Sequence, residues 1–440
     1  MKNIRIIAVL VILLMMITTA CSMTQPELLP SPTSSGESPL PQSDFAKENQ
    51  ALSALLPKEK GFEWRYFGFA EYGHQMTLDS ITKGDAGTTY AISGMIDDMS
   101  DGEAEGDFTM AITYEIAEGK LLQRTTSSMA MDSEIKSLIL VQGPLEKGTT
   151  WTQKVVNKDN VEMELNCTIK DVTEDGGRTY VMRYEQKNGD YYEERTIREG
   201  WGIVSFTRLF VSGSDKFDIG FSIYDEMSGY KGERELKMLL PPSQSNLRYF
   251  GLAEYAHAAK LDKTIYESDR TLYEVTGSFE DGSGIPGSFK VHYIRDRNNF
   301  TVTEKVLENT RSGVKKINSI IPDLVILKSP IKPGTSWQQQ VTIDGKSYTM
   351  NAVISDGQTA QDNPASIIYT IKYSVEGVPG YFNNTYLEER KFQTGKGMLS
   401  FQQLMPGDIG LSGKDLDDPK KVEEAIINHS FGYGLDVTDL

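Results

Sequence analysis

A ten-residue block occurs twice in this chain. Its first copy is Arg65-Tyr66-Phe67-Gly68-Phe69-Ala70-Glu71-Tyr72-Gly73-His74, and its second copy, 183 residues later, is Arg248-Tyr249-Phe250-Gly251-Leu252-Ala253-Glu254-Tyr255-Ala256-His257. Residues 144–151 return at 330–337, an offset of 186, and residues 191–206 return at 386–401, an offset of 195. Three blocks in the same order indicate a tandem duplication, and the growing offset indicates that loops have gained residues.

The segments between these blocks have the pattern of antiparallel strands. Residues 161–169 alternate apolar and polar side chains, which is typical of a strand with one face in water. Turn clusters such as Asp175-Gly176-Gly177 and Asp344-Gly345 separate such runs. The sequence therefore predicts a mainly β fold: two homologous antiparallel curved-sheet domains in tandem, half-barrel or barrel-like, each with about eight to ten strands.

The same patterns divide the chain into five segments and predict few helices. The segments are a signal peptide at 1–20, a Pro/Ser-rich tether at 21–54, a first β-rich repeat at 55–238, a second at 239–410, and a C-terminal extension with a short helix at 411–440. Helices are predicted at 44–56, 132–138 and 418–428. In the last of these, Asp417 or Asp418 would cap the helix and Pro419 would lie in its first turn.

The N-terminus has the features of a processed export signal. Lys2 and Arg5 precede an apolar run at residues 6–17, which is shorter than the roughly 20 residues that span a membrane. Thr18-Thr19-Ala20-Cys21 follows, and this resembles the lipobox of bacterial lipoproteins, although Thr18 stands where leucine is commoner. The alternative is an ordinary secretory signal in which Cys21 is incidental.

The lipobox resemblance implies a location and an anchor. Cys21 would become the first mature residue and carry a diacylglycerol with acyl chains such as palmitate. Two or more acyl chains hold a protein stably on a bilayer. The expected location is therefore the extracytoplasmic face of the cell membrane, with the membrane as one partner and an unknown ligand or envelope protein as another.

A turn motif gives a second resemblance. Pro144 to Trp151 and Pro330 to Trp337 both read Pro-x-x-x-Gly-Thr-x-Trp. This motif is similar to one in uncharacterised extracytoplasmic lipoproteins of Gram-positive bacteria. The style of the repeats resembles the single-sheet half-barrel domains of other lipoproteins outside the cytoplasm. These resemblances imply a fold and a compartment, with no activity attached.

Composition excludes one class of partner. The chain has 45 Lys and Arg against 62 Asp and Glu, a formal net charge of −17. Such an acid excess repels phosphate groups, so nucleic acid is not an expected partner. Cys21 and Cys167, the two cysteines, cannot form a disulfide framework, and Cys167 lies in phase with the apolar side of its predicted strand.

The repeated Ala-Glu-Tyr-x-His block supplies the first candidate site residues. On a continuous strand, Glu71 would share a face with Phe67 and Phe69 and would need a partner if buried. This predicts the ion pairs Glu71–Arg195 and Glu254–Arg390. The full set of candidate structural or ligand-lining residues is Glu71, Tyr72, His74, Trp151, Arg195, Glu254, Tyr255, His257, Trp337 and Arg390.

No pattern of residues indicates a reaction. Glu71 and His74 supply at most two metal ligands, the acidic stretch at 97–107 does not match a calcium loop, and no nucleophile triad or phosphate loop is present. We therefore predict no catalytic residue, no metal and no cofactor. The predicted function is non-catalytic binding of a ligand or partner in the cell envelope. The alternatives are a carboxylate-dependent envelope hydrolase and a purely structural interaction module.

Overall fold

A computed structural model describes residues 45–436, apart from residues 86, 98–104, 127–132, 175, 244, 253, 282–285 and 310–318. The signal peptide, Cys21 and most of the predicted tether lie outside the described residues. The described chain forms two antiparallel sheets, each nearly closed into a barrel. The predicted fold class is confirmed, with twelve strands along each sheet instead of eight to ten. Within the described residues, no helix is long and apolar enough to cross a membrane.

The first sheet, called barrel 1, is a meander that starts at its middle. Its strands are β1 (Phe62–Gly68), β2 (Gly73–Gly84), β3 (Gly87–Ile96), β4 (Thr109–Ala117), β5 (Lys120–Thr126), β6 (Ser137–Gln142), β7 (Thr150–Val156), β8 (Glu162–Thr173), β9 (Thr179–Gln186), β10 (Tyr192–Arg198), β11 (Gly202–Ser212), β12 (Asp215–Ile223) and β13 (Gly229–Tyr230). Strand β1 pairs with β12, so β6 and β7 are the two edges. The short β13 pairs with β1 beside this path.

The second sheet, called barrel 2, repeats this order. Its strands are β14 (Asn246–Gly251), β15 (Tyr255–Tyr266), β16 (Arg270–Asp281), β17 (Gly287–Asp296), β18 (Thr301–Asn309), β19 (Leu324–Lys328), β20 (Ser336–Ile343), β21 (Lys346–Thr359), β22 (Ile367–Glu376), β23 (Thr385–Gln393), β24 (Gly397–Leu404) and β25 (Ser430–Leu435). Strand β14 pairs with β25, and β19 and β20 are the edges. The predicted boundary at 238/239 falls between the last strand of barrel 1 and the first strand of barrel 2.

The three α-helices lie outside the sheets. They are α1 (Ala46–Ala54), α2 (Lys231–Lys237) and α3 (Pro419–Asn428). Helices α1 and α3 match two of the three predicted helices, and the side chain of Asp418 accepts a hydrogen bond from the Lys420 amide. The helix predicted at 132–138 is wrong where the structure describes it. Leu138 and Leu140 are buried on alternate positions of strand β6 there.

Two predicted segment limits also need correction. Helix α1 buries Leu52 in the core of barrel 1, so the final residues of the predicted tether belong to the folded body. At the other end, β25 lies in the predicted C-terminal extension but pairs with both β14 and β24. It takes the place that β12 has in barrel 1. Residues 405–429, with α3, therefore form a long connection inside the second repeat.

Both barrels bend at matching places. A register shift follows Leu78 in β2 and the matching Leu261 in β15, so Asp79 and Asp262 are the extra residues. A β-bulge bends its strand and increases the local twist. The repeated Leu-Asp pair therefore forms a β-bulge that contributes to the curvature of each sheet.

A glutamine side chain closes the gap between the edge strands of each barrel. In barrel 1, the Ile139 amide donates to Gln153 Oε1 at 2.8 Å, and Gln153 Nε2 donates to the Ile139 carbonyl at 3.0 Å. In barrel 2, the Val325 amide donates to Gln339 Oε1 at 2.9 Å, and Gln339 Nε2 donates to the Asp323 carbonyl at 2.8 Å. A side-chain amide carries one donor group and one acceptor, so it substitutes for a strand partner.

The barrels meet through buried charges that sequence patterns did not indicate. Glu233 of α2 is fully buried and accepts from Arg297 Nε at 3.0 Å, with Arg295 Nη2 at 3.8 Å. Nearby, the rings of Trp201 and Tyr266 pack edge to face with their centroids 5.4 Å apart. Because Arg295 and Arg297 lie at the C-terminal end of β17, this junction uses one end of barrel 2 and leaves the opposite end exposed.

Candidate functional site

The repeated Ala-Glu-Tyr-x-His block is a hairpin turn and not a continuous strand. Strand β1 ends at Gly68, and Phe69–Glu71 form a 3-10 turn in which Ala70 has φ 53° and Glu71 has φ 63°. Glu254 has φ 57° at the matching place in barrel 2. Both glutamates are exposed. The predicted pairs Glu71–Arg195 and Glu254–Arg390 are therefore wrong, because the turn breaks the alternation on which they rested.

The tyrosine and histidine residues of the block face the cores. His74 stacks on Tyr66 with ring centroids 4.5 Å apart, and His257 stacks on Tyr249 at 4.4 Å. Burial lowers the pKa of each of these imidazoles to about 3, so both are neutral at neutral pH. Tyr72 and Tyr255 are also buried, and the Tyr255 hydroxyl is 3.0 Å from His257 Nδ1. The tyrosine and histidine side chains of the block therefore pack with the other aromatic residues of each core.

Arg195 lies inside barrel 1 and pairs with a carboxylate two residues away. Arg195 Nη2 is 2.9 Å from Glu193 Oε2, and Nη1 donates to Gln123 Oε1 at 2.7 Å. Arg195 is 1% exposed and Glu193 is 0% exposed. Glu193 also accepts from Tyr191 at 2.5 Å and from the Ser133 hydroxyl. Among the described residues, the polar cluster of barrel 1 thus joins the Arg195 guanidinium to the Glu193 carboxylate.

The matching cluster of barrel 2 contains a second carboxylate. Arg390 Nε donates to Glu388 at 2.7 Å, while Nη1 and Nη2 donate to the two oxygens of Glu304 at 2.8 and 3.0 Å. The Tyr386 hydroxyl donates to Glu388 at 2.6 Å. Burial alone would disfavour the guanidinium charge, but the two carboxylates outweigh it and raise the pKa of Arg390. Glu304 occupies the position that Gln123 has in barrel 1, opposite a tyrosine of the neighbouring strand in both.

A cavity of about 800 Å³ opens at the end of barrel 2 that lies away from the junction. Glu304 and Gln403 lie on its inner wall. Most of the remaining lining is apolar, from Val306, Ile320, Ile321, Pro322, Ile343, Val378, Pro379, Leu404, Met405 and Pro406. Proteins bind small molecules in cavities of about 300–1,000 Å³ with apolar walls and a few polar groups. The cavity has the size and lining of such a site.

The same end of barrel 1 carries an ion network. Arg208 Nη1 is 3.2 Å from Glu134 Oε1, and Lys158 Nζ is 3.3 Å from the same oxygen. The backbone amide of Lys158 also donates to the Glu134 carbonyl at 2.6 Å. At the matching positions, barrel 2 has Gln403, Ile320 and Asp344, all of which line the cavity. Loss of the arginine and glutamate therefore accompanies the open interior.

Two longer connections extend the cavity walls. Residues 377–384 between β22 and β23 supply Val378, Pro379 and Tyr381, and the chain leaves β24 through Met405 and Pro406. In barrel 1, β11 and β12 continue instead as a tight hairpin through Ser212 and Asp215. The insertion between β22 and β23, which supplies part of the increase in sequence offset from 186 to 195, thus lies with the 405–429 connection at the open end of barrel 2. The rest of that increase lies in the β21–β22 connection at the junction end.

The candidate residues predicted from the sequence lie in the barrel cores or on exposed turns, and they do not line the cavity. Trp151 and Trp337 are 6% exposed and pack edge to face on Tyr184 and Tyr373 at 6.3 Å. None of the ten candidate residues lines the cavity, although Arg390 contacts it through Glu304. Sequence reasoning missed Glu304 and Gln403 because neither lies in a repeated block. Aligning the two copies strand by strand, which pairs them with Gln123 and Arg208, would have revealed them.

In the described part of the chain, the candidate residues have no neighbouring side chains that would complete a metal site. Among residues 45–436 with the gaps named above, no three His, Cys, Asp or Glu side chains are grouped to hold a metal ion. Cys167 is buried in barrel 1, and burial raises the pKa of its thiol to about 11. The polar cluster beside the cavity is therefore a network of carboxylates, guanidinium and phenol groups.

The fold and cavity define a tandem β-barrel protein in which barrel 2 has a cavity where barrel 1 has an ion network. No protein-family model and no curated protein matches the chain. Among solved structures, it is similar to the crystal structure of a "putative lipoprotein" from Parabacteroides distasonis, at 9% sequence identity and a TM-score of 0.23. The match covers 38% of this chain and 96% of that chain. A similarity of this size carries no argument about function.

Proposed function

We propose that this chain is a lipid-anchored extracytoplasmic protein that binds a small amphipathic ligand in barrel 2 without transforming it. The observation that carries the proposal is the cavity of about 800 Å³, which joins apolar walls to a buried carboxylate and a buried amide. Barrel 1 carries Arg208 and Glu134 at the matching place. In this proposal barrel 1 is the structural copy and barrel 2 is the binding copy.

The arrangement of carboxylates favours binding over hydrolysis. Acid–base hydrolysis by paired carboxyl groups needs two of them to reach the substrate. Glu388 has a fully buried side chain bound to Arg390 and Tyr386, so Glu304 is the carboxylate on the inner wall, while Asp323 and Asp344 line the exposed outer part. Both oxygens of Glu304 are bound to Arg390, which holds it in place. A single fixed carboxylate fits recognition of a ligand group.

A fluorescence titration tests the binding proposal. The neutral apolar probe N-phenyl-1-naphthylamine is titrated into the chain carrying Cys21→Ala, which removes the acyl chains that would compete for the cavity. We expect saturable enhancement at one site per chain. The double variant Ile320→Glu/Gln403→Arg transfers the barrel 1 pair into the cavity and should remove at least about nine-tenths of the enhancement, because it occupies the inner wall.

A matched control makes the same two residue exchanges at positions outside the cavity. Ile367→Glu/Gln338→Arg makes the same two exchanges on exposed positions of barrel 2 and should leave the titration unchanged. Absence of saturable binding to the parent chain, or equal loss in the two double variants, would contradict the proposal.

The anchor is tested by cell fractionation. Cys21 lies outside the described residues, and its lipidation is proposed from the lipobox resemblance. The parent chain should be recovered with membranes, and Cys21→Ala should move it to soluble fractions, because the acyl chains supply the membrane affinity. If the variant remains with membranes after a high-salt wash, the proposed anchor is wrong.

A further inference from the structure

We infer that the ligand of the barrel 2 cavity carries a positively charged ammonium group on an apolar body and binds with that group toward Glu304. This inference rests on the proposed function, because it names the class of ligand for the same cavity. It is drawn from the charges at the inner wall, the charges at the mouth and the apolar walls between them.

The first observation is the charge of the buried cluster. In barrel 1, the described partners of Arg195 are the Glu193 carboxylate and the neutral Gln123 amide. In barrel 2, Arg390 faces Glu304 and Glu388, so the described residues of the corresponding cluster have one more anion than cation. A buried charge without a counter-charge is costly. A cationic ligand group would supply the missing charge.

The second observation is that Glu304 retains capacity to accept hydrogen bonds. It lines the cavity, each of its oxygens accepts one hydrogen bond from Arg390, and it also accepts one from the Tyr293 hydroxyl. A carboxylate has about four lone-pair positions, so it can accept from an ammonium group as well. Hydrogen bonds between charged partners are about twice as strong as neutral ones.

The third observation is the charge at the mouth. Asp323 and Asp344 line the outer part of the cavity and are exposed, while Lys346 is the basic residue among the described lining residues. With two carboxylates against one ammonium group, the described outer lining has a net negative charge, which attracts cations. The net negative charge of the whole chain acts in the same direction.

The fourth observation concerns the ligand's body. The walls between mouth and inner end are formed by aliphatic side chains such as Ile343, Val378 and Leu404. Burying each methylene group against such walls contributes about 0.8 kcal/mol. Together the four observations describe an alkyl or aryl ammonium compound and disfavour fatty acids, phosphates and sugars.

Calorimetric titration with three probes of equal chain length tests this. Decylammonium, decanol and decanoate, each below its aggregation concentration, are titrated into the chain carrying Cys21→Ala. We expect decylammonium to bind about tenfold or more tightly than decanol, and decanoate to bind most weakly. Tenfold corresponds to about 1.4 kcal/mol.

The variant Glu304→Gln reproduces the Gln123 arrangement of barrel 1, which folds beside an arginine in this same chain. It should reduce the preference for decylammonium over decanol to about threefold or less, with decanol affinity unchanged. Should it fail to fold by circular dichroism, Asp323→Asn/Asp344→Asn, at exposed positions, should lower the same preference and its salt dependence.

The outcomes separate the two proposals. If none of the three probes binds, the proposed function fails. If decanol or decanoate binds as tightly as decylammonium, or if the preference survives in the folded Glu304→Gln variant, binding stands and the ammonium inference is overturned. If Ile320→Glu/Gln403→Arg binds decylammonium as the parent does, the probe lies elsewhere and both proposals fail.

Discussion

In barrel 1, the described partners of Arg195 are one carboxylate and a glutamine, whereas in barrel 2 the matching Arg390 meets two carboxylates beside a cavity. The copies keep the same strand order, the same bulges and the same glutamine across the edge strands. They differ at one end, where barrel 1 has the Arg208–Glu134 ion pair. The scaffold and the binding site are thus separate sets of residues.

This difference explains why one copy can have a cavity. The apolar core of barrel 2 extends to the open end, where Ile321, Ile343 and Val378 are buried and also line the cavity. Having Gln403 and Ile320 in place of the Arg208–Glu134 pair therefore leaves the core of barrel 2 intact. Function in such a duplicated chain is best sought where the copies disagree.

The largest expected effect comes from removing the buried guanidinium of each barrel. Arg195→Met leaves Glu193 buried without its cation and should lower the free energy of unfolding by about 3–5 kcal/mol. Arg390→Met leaves two carboxylates and should cost the upper end of this range or more. Urea unfolding, with hydrogen exchange assigning the loss to each barrel, measures the difference.

A double variant sharpens this test. Arg390→Met/Glu304→Gln removes one of the two orphaned carboxylates and should restore stability to the level of Arg195→Met. Equal losses for the two single variants would show that the extra carboxylate of barrel 2 carries no charge in the folded protein.

The arginines also show how far sequence reasoning reached. The sequence predicts Arg195 and Arg390 as the cationic partners of Glu71 and Glu254, and each arginine instead pairs with other carboxylates. The partners Glu193 and Glu388 are two residues away, on the same face of the same strand, which strand geometry makes accessible to prediction. Glu71 was chosen instead because period-two alternation was extended through a turn. The alternation of apolar and polar residues does not reveal the positive φ values of Ala70 and Glu71.

The fold was more predictable than the site for a physical reason. Alternation, turn residues and repeats are local or self-similar signals, so they predict strands and their duplication. The cavity results from missing volume, and volume depends on what non-local strands place together. Glu304 and Ile320 are ordinary residues of their own segments. They become significant only when set beside Gln123 and Glu134 of the other copy.

The next effect, intermediate in size, should be equal in the two barrels. Burial lowers the pKa of His74 and His257 to about 3, against about 6.5 in the unfolded chain. Between these values the unfolded state binds a proton that the folded state does not, so stability falls as pH falls below about 6.5. Each histidine should contribute about 1.4 kcal/mol per pH unit in that window.

Matched variants isolate this contribution from that of the carboxylates. The free energy of unfolding is measured from pH 7 to pH 5 for the parent, His74→Phe and His257→Phe. Each variant should show a smaller slope, by a difference that grows to about 1.4 kcal/mol per pH unit near pH 5, because phenylalanine keeps the stack on Tyr66 or Tyr249 and cannot take up a proton. A parent slope retained by either variant would mean that its histidine is not excluded from protonation.

The smallest expected effect is at the edge strands, where the barrels use the same residue. Gln153→Ala and Gln339→Ala should each lower the free energy of unfolding by about 1 kcal/mol, because water can partly replace the two hydrogen bonds that each glutamine makes. The more diagnostic readout is amide hydrogen exchange at Ile139 and Val325, whose N–H groups donate to these side chains.

Exchange at Ile139 should accelerate only in the Gln153→Ala variant, and exchange at Val325 only in the Gln339→Ala variant. Gln338→Ala, an exposed neighbour on β20, is the control and should alter neither amide. Faster exchange at Val325 alone would mean that the open end of barrel 2 depends on its glutamine, while the Arg208–Glu134 ion pair holds barrel 1 closed without one.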